Sequence, residues 1–297
     1  MIRQIKYFQS VVKNNSFSEA AEECHISQSA VSQQVRTLEN ELGFDLLLRK
    51  NRRFELTQAG EYFYRKSLIL TADYERICRE SLSIANNDEK VLRIGALKGY
   101  TGNELYGAVR QFALKYPDID IQTEYGNHEE LYTLLRTGRA DVVFNDQRRA
   151  FSDEYINIIL AELKSYIEIS SADSIAKLEK VGPSELKNTP CIIVCSKAKQ
   201  NDEWDYYCNT LGFEGEYIFA ESIEEARMLI VSGKGFMPVD MAKVHNNGVT
   251  AVVPLFRNEC QMSKNYCLFR RADHKNREYS ERYISDFVEI LKEQFEK

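Results

Sequence analysis

The hydrophobic residues near the start of the chain recur at helical spacing in two short stretches, with a polar break between them. The break spans His25 to Ser27, and the second stretch predicts a helix from about Gln28 to Leu38. On a helical wheel its apolar side chains share one arc of about 60°, which predicts a buried stripe. These side chains are Val31, Val35, Leu38 and Leu42. Ser16 or Ser18 can cap the first helix and Ser27 the second, so the pattern predicts a helix-turn-helix.

The second helix also has a face of short, uncharged polar side chains with one cation: Gln28, Ser29, Ser32, Gln33 and Arg36. Glutamine can pair with adenine through two hydrogen bonds, serine can donate or accept one, and arginine can bond to guanine or to phosphate. The face contains no acid, which phosphate would repel. It therefore suits the major groove of DNA, although helical pairs of this kind also arise by chance in all-α proteins.

The charge distribution supports a DNA partner, even though the whole chain carries a net charge of −6. Ten of the 39 Lys and Arg residues and eight of the 45 Asp and Glu residues lie in residues 1–66, which leaves 29 and 37 for the remainder. The basic excess is therefore N-terminal. Four cations in Arg49-Lys50-Asn51-Arg52-Arg53 suit phosphate contacts, although an isolated run of this kind more often forms a solvated loop.

Five features follow one another in a fixed order in the first 60 residues. They are the Ala20-Ala21 pair, the polar turn, a helix that ends in Leu38-Glu39-Asn40-Glu41-Leu42-Gly43, the stretch Leu46-Leu47-Leu48-Arg49, and Leu56-Thr57-Gln58-Ala59-Gly60. In this order and spacing the segment closely resembles the LysR-type transcriptional regulators. The resemblance implies a winged helix-turn-helix DNA-binding domain at residues 1–58.

The resemblance also implies which side chains contact DNA. Those on base-contacting positions are Gln28, Ser29, Ser32 and Gln33, and those for the phosphate backbone are Arg36, Arg49, Arg52, Arg53 and Thr57. Gln33 departs from the arginine often found at its position, so no guanine contact is carried over. The expected partner is double-stranded operator DNA with an imperfect palindrome of unspecified sequence.

After Gly60 the chain has neither proline nor glycine as far as about Ala85, which predicts one long helix. Four apolar residues recur in it every seven positions: Phe63, Leu70, Ile77 and Ile84. This seam suits a partner helix. The other heptad line is mostly polar, however, so a stable coiled coil from this segment alone is not expected. The alternative is that the helix packs on its own domain. The resemblance favours a linker and dimerisation helix with a hinge over residues 59–89, in a homodimer or homotetramer.

From Val91 the pattern changes to strands alternating with helices. The predicted strands are 91–97, 119–124, 140–144, 166–169, 191–194 and 217–219, and the predicted helices are 104–115, 129–136, 203–211 and 223–231. This order predicts βαβ units with a largely parallel sheet. Gly233 and Gly235 then lead to a strand that stops at Pro238, which is similar to a second-lobe motif of LysR-type effector domains.

That similarity implies an α/β fold like the type 2 periplasmic binding proteins, in which two lobes enclose a small ligand. The effector-binding domain is expected at residues 90–297. One lobe is expected at about 90–161 and 269–297, and the other at about 162–268.

The loop from Lys98 to Asn103 lies where a strand ends and a helix begins, so its amides, lysine and threonine can face a ligand. An ordinary strand-to-helix turn would have the same pattern. With matching family positions added, the expected effector-binding residues are Lys98, Gly99, Tyr100, Thr101, Asn127, Asn145, Ser196 and Met237. A small organic anion is the hypothesis for the effector, and Asp146 would oppose it if its side chain faced inward.

Other chemistry has little support in the sequence. No apolar run approaches the roughly 18 residues of a membrane span, and the charged N-terminus is unlike a secretory signal, so a cytoplasmic location is expected. The histidines lack metal-ligand spacing: His25, His128, His245 and His274. Seven cysteines fit reduced thiols, with a redox role for Cys195 or Cys208 as an alternative. No catalytic motif is present, so neither a metal, a cofactor nor enzyme activity is expected.

Two functions fit these patterns. One is a transcriptional regulator that binds an operator, responds to a small-molecule effector and can contact RNA polymerase. The other is a solute-binding or enzymatic α/β protein with an incidental helical domain. Residues 27–57 favour the regulator, because a transport binding protein would be expected to carry an export signal in their place. Activation and repression are both left open.

Overall fold

The computed structural model describes residues 1–50, 53–86, 90–244, 248–272 and 278–296. Within these ranges the side chains of 49–50, 53, 79–80, 83–86, 90 and 278–281 are not described. The chain divides into two compact units, residues 1–88 with 136–138 and residues 89–135 with 139–297. The helical and strand elements below are those of the described residues.

The first unit consists of helices and one β-hairpin. Its elements are α1 (Ile2–Asn14), α2 (Phe17–Glu23), α3 (Gln28–Leu42), β1 (Leu47–Lys50), β2 (Arg53–Leu56) and α4 (Gln58–Asn86). The predicted helix-turn-helix is α2 and α3, and α1 is an additional helix that packs against both. The hairpin is antiparallel, with Leu47 opposite Leu56, and forms the expected wing.

Serine caps fix where α2 and α3 begin, as predicted. The Ser16 hydroxyl accepts a hydrogen bond from the Glu19 N–H at 3.3 Å, and the Ser27 hydroxyl accepts one from the Ala30 N–H at 3.2 Å. Each bond satisfies an amide that the first helical turn leaves unpaired. The helix α3 runs four residues past the predicted end and stops at Gly43, whose φ of 79° is readily adopted only by glycine.

The core of the first unit forms where α3 packs on α1 and α2. Val31, Val35 and Leu38 are fully buried, which confirms the predicted stripe, and Leu42 is half-buried at its edge. The ring of Phe8 lies in the same core. Burying such side chains contributes about 1.5–3 kcal/mol each, so this apolar face holds α3 in place while its polar face stays outside.

The second unit alternates strands and helices. Its elements are β3 (Lys90–Leu97), α5 (Glu104–Lys115), β4 (Ile119–Gly126), α6 (His128–Arg136), β5 (Val142–Asp146), β6 (Tyr155–Ser170), β7 (Cys191–Val194), α7 (Gln200–Asp205), β8 (Tyr217–Ala220), α8 (Ile223–Val231), β9 (Met237–Met241), β10 (Thr250–Pro254), β11 (Phe256–Arg257), β12 (Cys260–Gln261), β13 (Ser263–Arg271) and α9 (Glu278–Glu296). Tyr206–Thr210 continues α7 as a π-helical turn.

The prediction of a largely parallel sheet is wrong for the main sheet of this unit. The described strands follow the order β10-β6-β13-β5-β3-β4, with β9 also on β6. The pairs β3–β4 and β3–β5 are parallel, as βαβ units require, whereas the pairs made by β6 and β13 are antiparallel. The physical reason is that β6 and β13 are long strands that run in opposite directions through both lobes.

The hydrophobic core of the second unit is divided along those two long strands. Leu163 packs in the first lobe's core with Phe144 and Phe287, whereas Ile167, four residues further along β6, packs in the second lobe with Phe236. The pairing of β6 with β13 contains a bulge, because Tyr266 lies opposite Ala161 but Cys267 lies opposite Ile159. The two lobes therefore share a continuous pair of strands.

Pro238 does not end its strand as predicted, because β9 continues to Met241 with Pro238 opposite Ile167. Proline lacks only the amide donor, so a strand can pass through it where no ladder bond from that nitrogen is needed. The second lobe also contains the parallel pair β7–β8, joined to Phe236 through Cys191.

Candidate functional site

The polar face predicted on α3 is open to solvent. Gln28, Ser29, Gln33 and Arg36 are exposed, and Ser32 is half-buried. The Ser27 and Ser29 hydroxyls are 3.0 Å apart, next to the first turn of α3. The structure therefore brings the predicted base-contacting residues and Arg36 together on one accessible helix face, opposite the buried stripe.

The wing is attached to α3 by Glu39, a contact that the sequence analysis did not identify. Its Oε1 atom accepts hydrogen bonds from the backbone N–H groups of Leu46 and Leu47, at 2.9 and 3.0 Å. The Glu39 side chain is buried, so these amides have no water available as a substitute. Glu39 follows directly after the apolar Leu38 near the end of an amphipathic helix and precedes an apolar strand. An acid in that position is the sequence signal that could have identified this contact.

Thr57 lies where the wing joins α4. Its hydroxyl donates to the Asp45 carbonyl and accepts from the Gly60 N–H, both at 2.8 Å, so it serves as a cap for α4. The predicted phosphate contact of Thr57 needs this hydroxyl as a donor, and in this conformation the hydroxyl already donates to the Asp45 carbonyl. The side chains of Arg49 and Arg53, and Arg52 as a whole, lie outside the described residues.

The seam predicted on α4 is split by the structure. Phe63 packs within its own unit, with its ring centroid 6.0 Å from that of Phe8. Leu70, Tyr74 and Ile77 instead form an exposed apolar stripe at helical spacing, and the Ile84 side chain is outside the described part. Packing on its own domain thus accounts for Phe63, whereas the exposed stripe is available for a partner helix.

In the second unit, Asn127 and Ser196 connect the two lobes directly. Asn127 precedes α6 in the first lobe, and its Oδ1 atom accepts a hydrogen bond from the Ser196 N–H of the second lobe at 3.2 Å. The Ser196 hydroxyl donates to Glu130 Oε1 at 2.9 Å. Two predicted effector-binding residues therefore lie at the lobe junction, bonded to each other.

Thr101 lies at the edge of a small crevice. The crevice is lined by Thr101, Gly102, Asn103, Glu104, Met241, Ala242 and Lys243. The Thr101 Oγ1 atom is buried without a hydrogen-bond partner among the described residues, a costly arrangement that a ligand hydrogen bond would relieve. This orphan hydroxyl is the best support for the predicted loop.

Other predicted effector-binding residues have structural roles in this conformation. Tyr100 packs its ring against Phe144 and Tyr266, and Asn145 is fully buried, donating to the His128 carbonyl. Met237 is in the second lobe's core. Lys98 and Gly99 are half-buried at the end of β3. Tyr100, Asn145 and Met237 therefore support the walls of the junction.

Asp146 faces the lobe junction, the orientation that opposes an anionic effector. Burial raises the pKa of Asp146, but the charges of Arg148 and Lys264 and a hydrogen bond from His128 outweigh that effect and hold the pKa well below its ordinary value. Asp146 is therefore a carboxylate. Its Oδ2 atom lies 3.0 Å from Arg148 Nε and 3.7 Å from Lys264 Nζ.

Arg148 and Lys264 also contact acids and aromatic rings of the second lobe. Arg148 Nη1 donates to Glu203 Oε2 at 2.9 Å, and the guanidinium lies 4.1 Å from the centre of the Tyr206 ring. Lys264 Nζ lies 3.3 Å from Asp240 Oδ2. The sequence analysis identified none of these five residues as part of a site, because they come from four separate segments and match no motif.

The Cys195 thiol lacks the lowered pKa that the redox alternative requires. Burial raises the pKa of the Cys195 thiol to about 11, with Glu203 adding to the effect and Lys98 opposing it. Cys208 interacts with the side chain of Tyr217. Among the described residues, no group of three or more His, Cys, Asp or Glu could hold a metal ion. His245 and His274 lie outside that part of the chain.

A winged helix-turn-helix followed by a two-lobed α/β unit defines a class of bacterial regulatory proteins, and family models agree. Residues 2–61 match the bacterial regulatory helix-turn-helix proteins of the lysR family, and residues 85–296 match the LysR substrate binding domain. The chain belongs to the LysR family of transcriptional regulators.

Similar proteins include the probable cat1 operon transcriptional activator of Acinetobacter lwoffii, 29% identical over 48% of this chain and 47% of that one. The regulator CysB of Haemophilus influenzae is 24% identical over 73% of this chain and 68% of that one. The chain thus matches about half the length of the first relative. A solved structure of full-length CbnR with its target DNA has a TM-score of 0.57 at 19% identity, covering 99% of both chains, which shows the shared fold.

No helix in the described part of the chain combines the length and the apolar character needed to span a membrane.

Proposed function

We propose that this chain is a transcriptional regulator that binds operator DNA through α3 and responds to a small molecule bound between the lobes of its second unit. The observation that carries the proposal is the division of α3 into a buried apolar stripe and an exposed face of glutamine, serine and arginine. This face can enter the major groove without exposing core residues.

The residues proposed to contact bases are Gln28, Ser29, Ser32 and Gln33, and those proposed for the phosphate backbone are Arg36, Arg49, Arg52, Arg53 and Thr57. CbnR, whose fold this chain shares, has been solved in complex with its target DNA. The exposed stripe of Leu70, Tyr74 and Ile77 is proposed to pair two protomers, which would give the two-fold symmetry of a palindromic operator.

The proposed ligand site is the lobe junction of the second unit, at Lys98, Thr101, Asn127 and Ser196. Its support is the orphan hydroxyl of Thr101 and the hydrogen bonds that join the lobes there. Ligand binding would change the relative positions of the lobes. No catalytic role is proposed, since the named relatives are regulators. We further propose a cytoplasmic location, where the operator DNA lies, and, if the chain activates transcription, a contact with RNA polymerase.

The test is footprinting of the full chain on the DNA that flanks its own gene. We expect a protected imperfect palindrome, a change of base preference in Gln28→Ala, and uniformly weaker binding with a smaller salt slope in Arg36→Ala. Glu22→Ala, a change on α2 outside the predicted contact set, is the control. Equal binding of parent, Gln28→Ala and Arg36→Ala to this DNA would refute the assigned roles.

A further inference from the structure

Five charged side chains are buried together where the two lobes meet. They are Asp146, Arg148, Glu203, Asp240 and Lys264, and the exposed fraction of each side chain is 12% or less. Three acids face two cations, so the group carries an excess of one negative charge. An anionic ligand placed here would meet more carboxylate than cation, which is costly in a buried site.

Arg148 is the member of this group that spans the lobes most directly. Its Nε atom lies 3.0 Å from Asp146 Oδ2 in the first lobe, and its Nη1 atom lies 2.9 Å from Glu203 Oε2 in the second. The Tyr206 ring, 4.1 Å away, covers the guanidinium with a π face. Two carboxylates and an aromatic ring around one cation make a cage suited to guanidinium and ammonium groups.

The cation in this cage is carried on a segment that is not part of a helix or strand. Residues 147–154, between β5 and β6, are irregular, whereas Asp146 ends β5 and Glu203 lies in α7. The cage walls are thus fixed by regular structure, and the group inside them is not. Removal of Arg148 would deprive the buried Glu203 and Asp146 carboxylates of the cation that they share, although Asp146 would keep its contacts with Lys264 and His128, and another cation in its place would restore the balance.

We propose that the Arg148 guanidinium is an internal ligand of a cation site formed by Asp146, Glu203 and Tyr206, and that the effector is a small organic cation that replaces it. This inference rests on the proposed ligand-binding role of the lobe junction, and it replaces the hypothesis of a small organic anion. Exchange of one cation for another preserves the charge balance of the cage and frees the segment that carries Arg148. An anion can do neither.

Competition with a tethered group sets a requirement for the effector. A side chain that the fold holds next to its site has a far higher effective concentration than a free ligand, so a free cation needs additional contacts to compete well. The simplest cations should therefore bind weakly to the parent chain and more tightly once Arg148 is removed.

The test is chemical rescue of the full-length Arg148→Ala chain. We expect its Tm to fall by about 5 °C or more, because a buried pair is broken. Ethylguanidinium chloride at about 10 mM should then restore at least roughly half of that loss, because it can fill the space left by the Arg148 side chain and pair with Asp146 and Glu203. Sodium chloride and sodium acetate at the same concentration should restore none of it.

Arg149→Ala is the matched control, because Arg149 also pairs with a glutamate, Glu129 at 3.3 Å, and lies over a tyrosine ring, but its side chain is 55% exposed. Its Tm should change little and should not respond to ethylguanidinium. An equal response in both variants, no response in Arg148→Ala, or rescue by acetate would each overturn the cation site.

If Arg148→Ala does not accumulate in folded form, the parent and Arg148→Lys decide. Agmatine, which has both a guanidinium and an ammonium group, should raise the Tm of the parent, and Arg148→Lys should need less of it, because lysine lacks the forked guanidinium that competes for the cage. An identical response of the two chains, or none in the parent, would refute the proposal. These measurements require no DNA, so their failure is separate from a failure to bind operator DNA in the footprint.

Discussion

The Glu39 carboxylate near the end of α3 accepts a hydrogen bond from the backbone N–H of Leu46 at 2.9 Å, just before the wing. The same oxygen accepts a second bond from the Leu47 N–H. One buried side chain therefore sets the position of the wing relative to α3, and both elements belong to the proposed DNA interface.

Glu39→Ala should destabilise the first unit by about 2–3 kcal/mol, because it leaves two buried amides without an acceptor. Urea unfolding of the full chain measures this as an earlier transition of that unit. Asn40→Ala, an exposed neighbour on the same helix, is the control and should shift stability by less than about 0.5 kcal/mol. Similar losses in the two variants would contradict the role of Glu39.

Gly60 should not tolerate alanine, although alanine is the better helix former. A Cβ atom at Gly60 would lie 2.0 Å from the Leu46 carbonyl oxygen, so the first turn of α4 or the wing would have to shift. We expect Gly60→Ala to cost about 2 kcal/mol or more. Gly99→Ala is the control, because a Cβ there meets nothing within 4 Å. Denaturant midpoints of the two variants check this, and a stabilised Gly60→Ala chain would refute it.

The stability of the first unit should depend on the ionisation of Glu23. Hydrogen bonds from Lys13, Ser10 and Asn14 lower the pKa of Glu23 from 4.5 to about 2. A lowered carboxyl pKa adds stability that is present above pH 4.5 and is lost as the pH falls towards 2. Because the side chain is 40% exposed, solvent screening keeps the effect small.

Glu23→Gln should therefore be less stable than the parent at pH 7, and the difference should disappear between pH 4.5 and pH 2. Thermal unfolding followed by circular dichroism across this range is the measurement, with Glu22→Gln on the same helix as the control. A difference between parent and Glu23→Gln that stays constant down to pH 2 would argue against this origin.

The thiols should separate into two classes by reactivity. Cys78 and Cys260 are exposed, whereas Cys191, Cys195 and Cys267 are buried, and burial raises the thiol pKa of each of these three. In the native chain at pH 8, iodoacetamide should modify Cys78 and Cys260 first, because thiolate and access are both required. Peptide mass spectrometry with and without urea checks the order. Early modification of Cys195 in the native chain would revive the redox alternative for this thiol.

The sequence predicts the helices and the parallel strands well because both depend on local periodicity. Helix α8 and strand β7 have the predicted bounds, and Ser16 and Ser27 cap the predicted helices. Strand β6 was predicted only as 166–169, because its first part alternates less regularly and is stabilised by β13, about a hundred residues away. Long-range pairing of this kind leaves no local pattern.

The contrast between local patterns and long-range contacts also applies to the two proposed sites. The exposed polar face of α3 could be predicted because its residues lie on one helix and share a wheel position. The cation cage was not, because Asp146, Glu203 and Tyr206 come from two lobes and meet only in the folded unit. Asp146 was recognised as an obstacle to an anion, but the two cations that neutralise it could not be located from spacing alone.

Strand β6 determines which lobe movements are inexpensive. It passes from the first lobe's core at Leu163 to the second lobe's core at Ile167, and the bulge opposite Tyr266 and Cys267 lies before this crossing, within the first lobe. The strands β9 and β10 pair with β6 from Lys164 onwards, so both belong with the second lobe. Pulling the lobes apart would break backbone hydrogen bonds, whereas a twist of β6 between Leu163 and Ile167 keeps them. The lobes are thus joined through one continuous strand, for which a change of the angle between them costs less than a change of their separation.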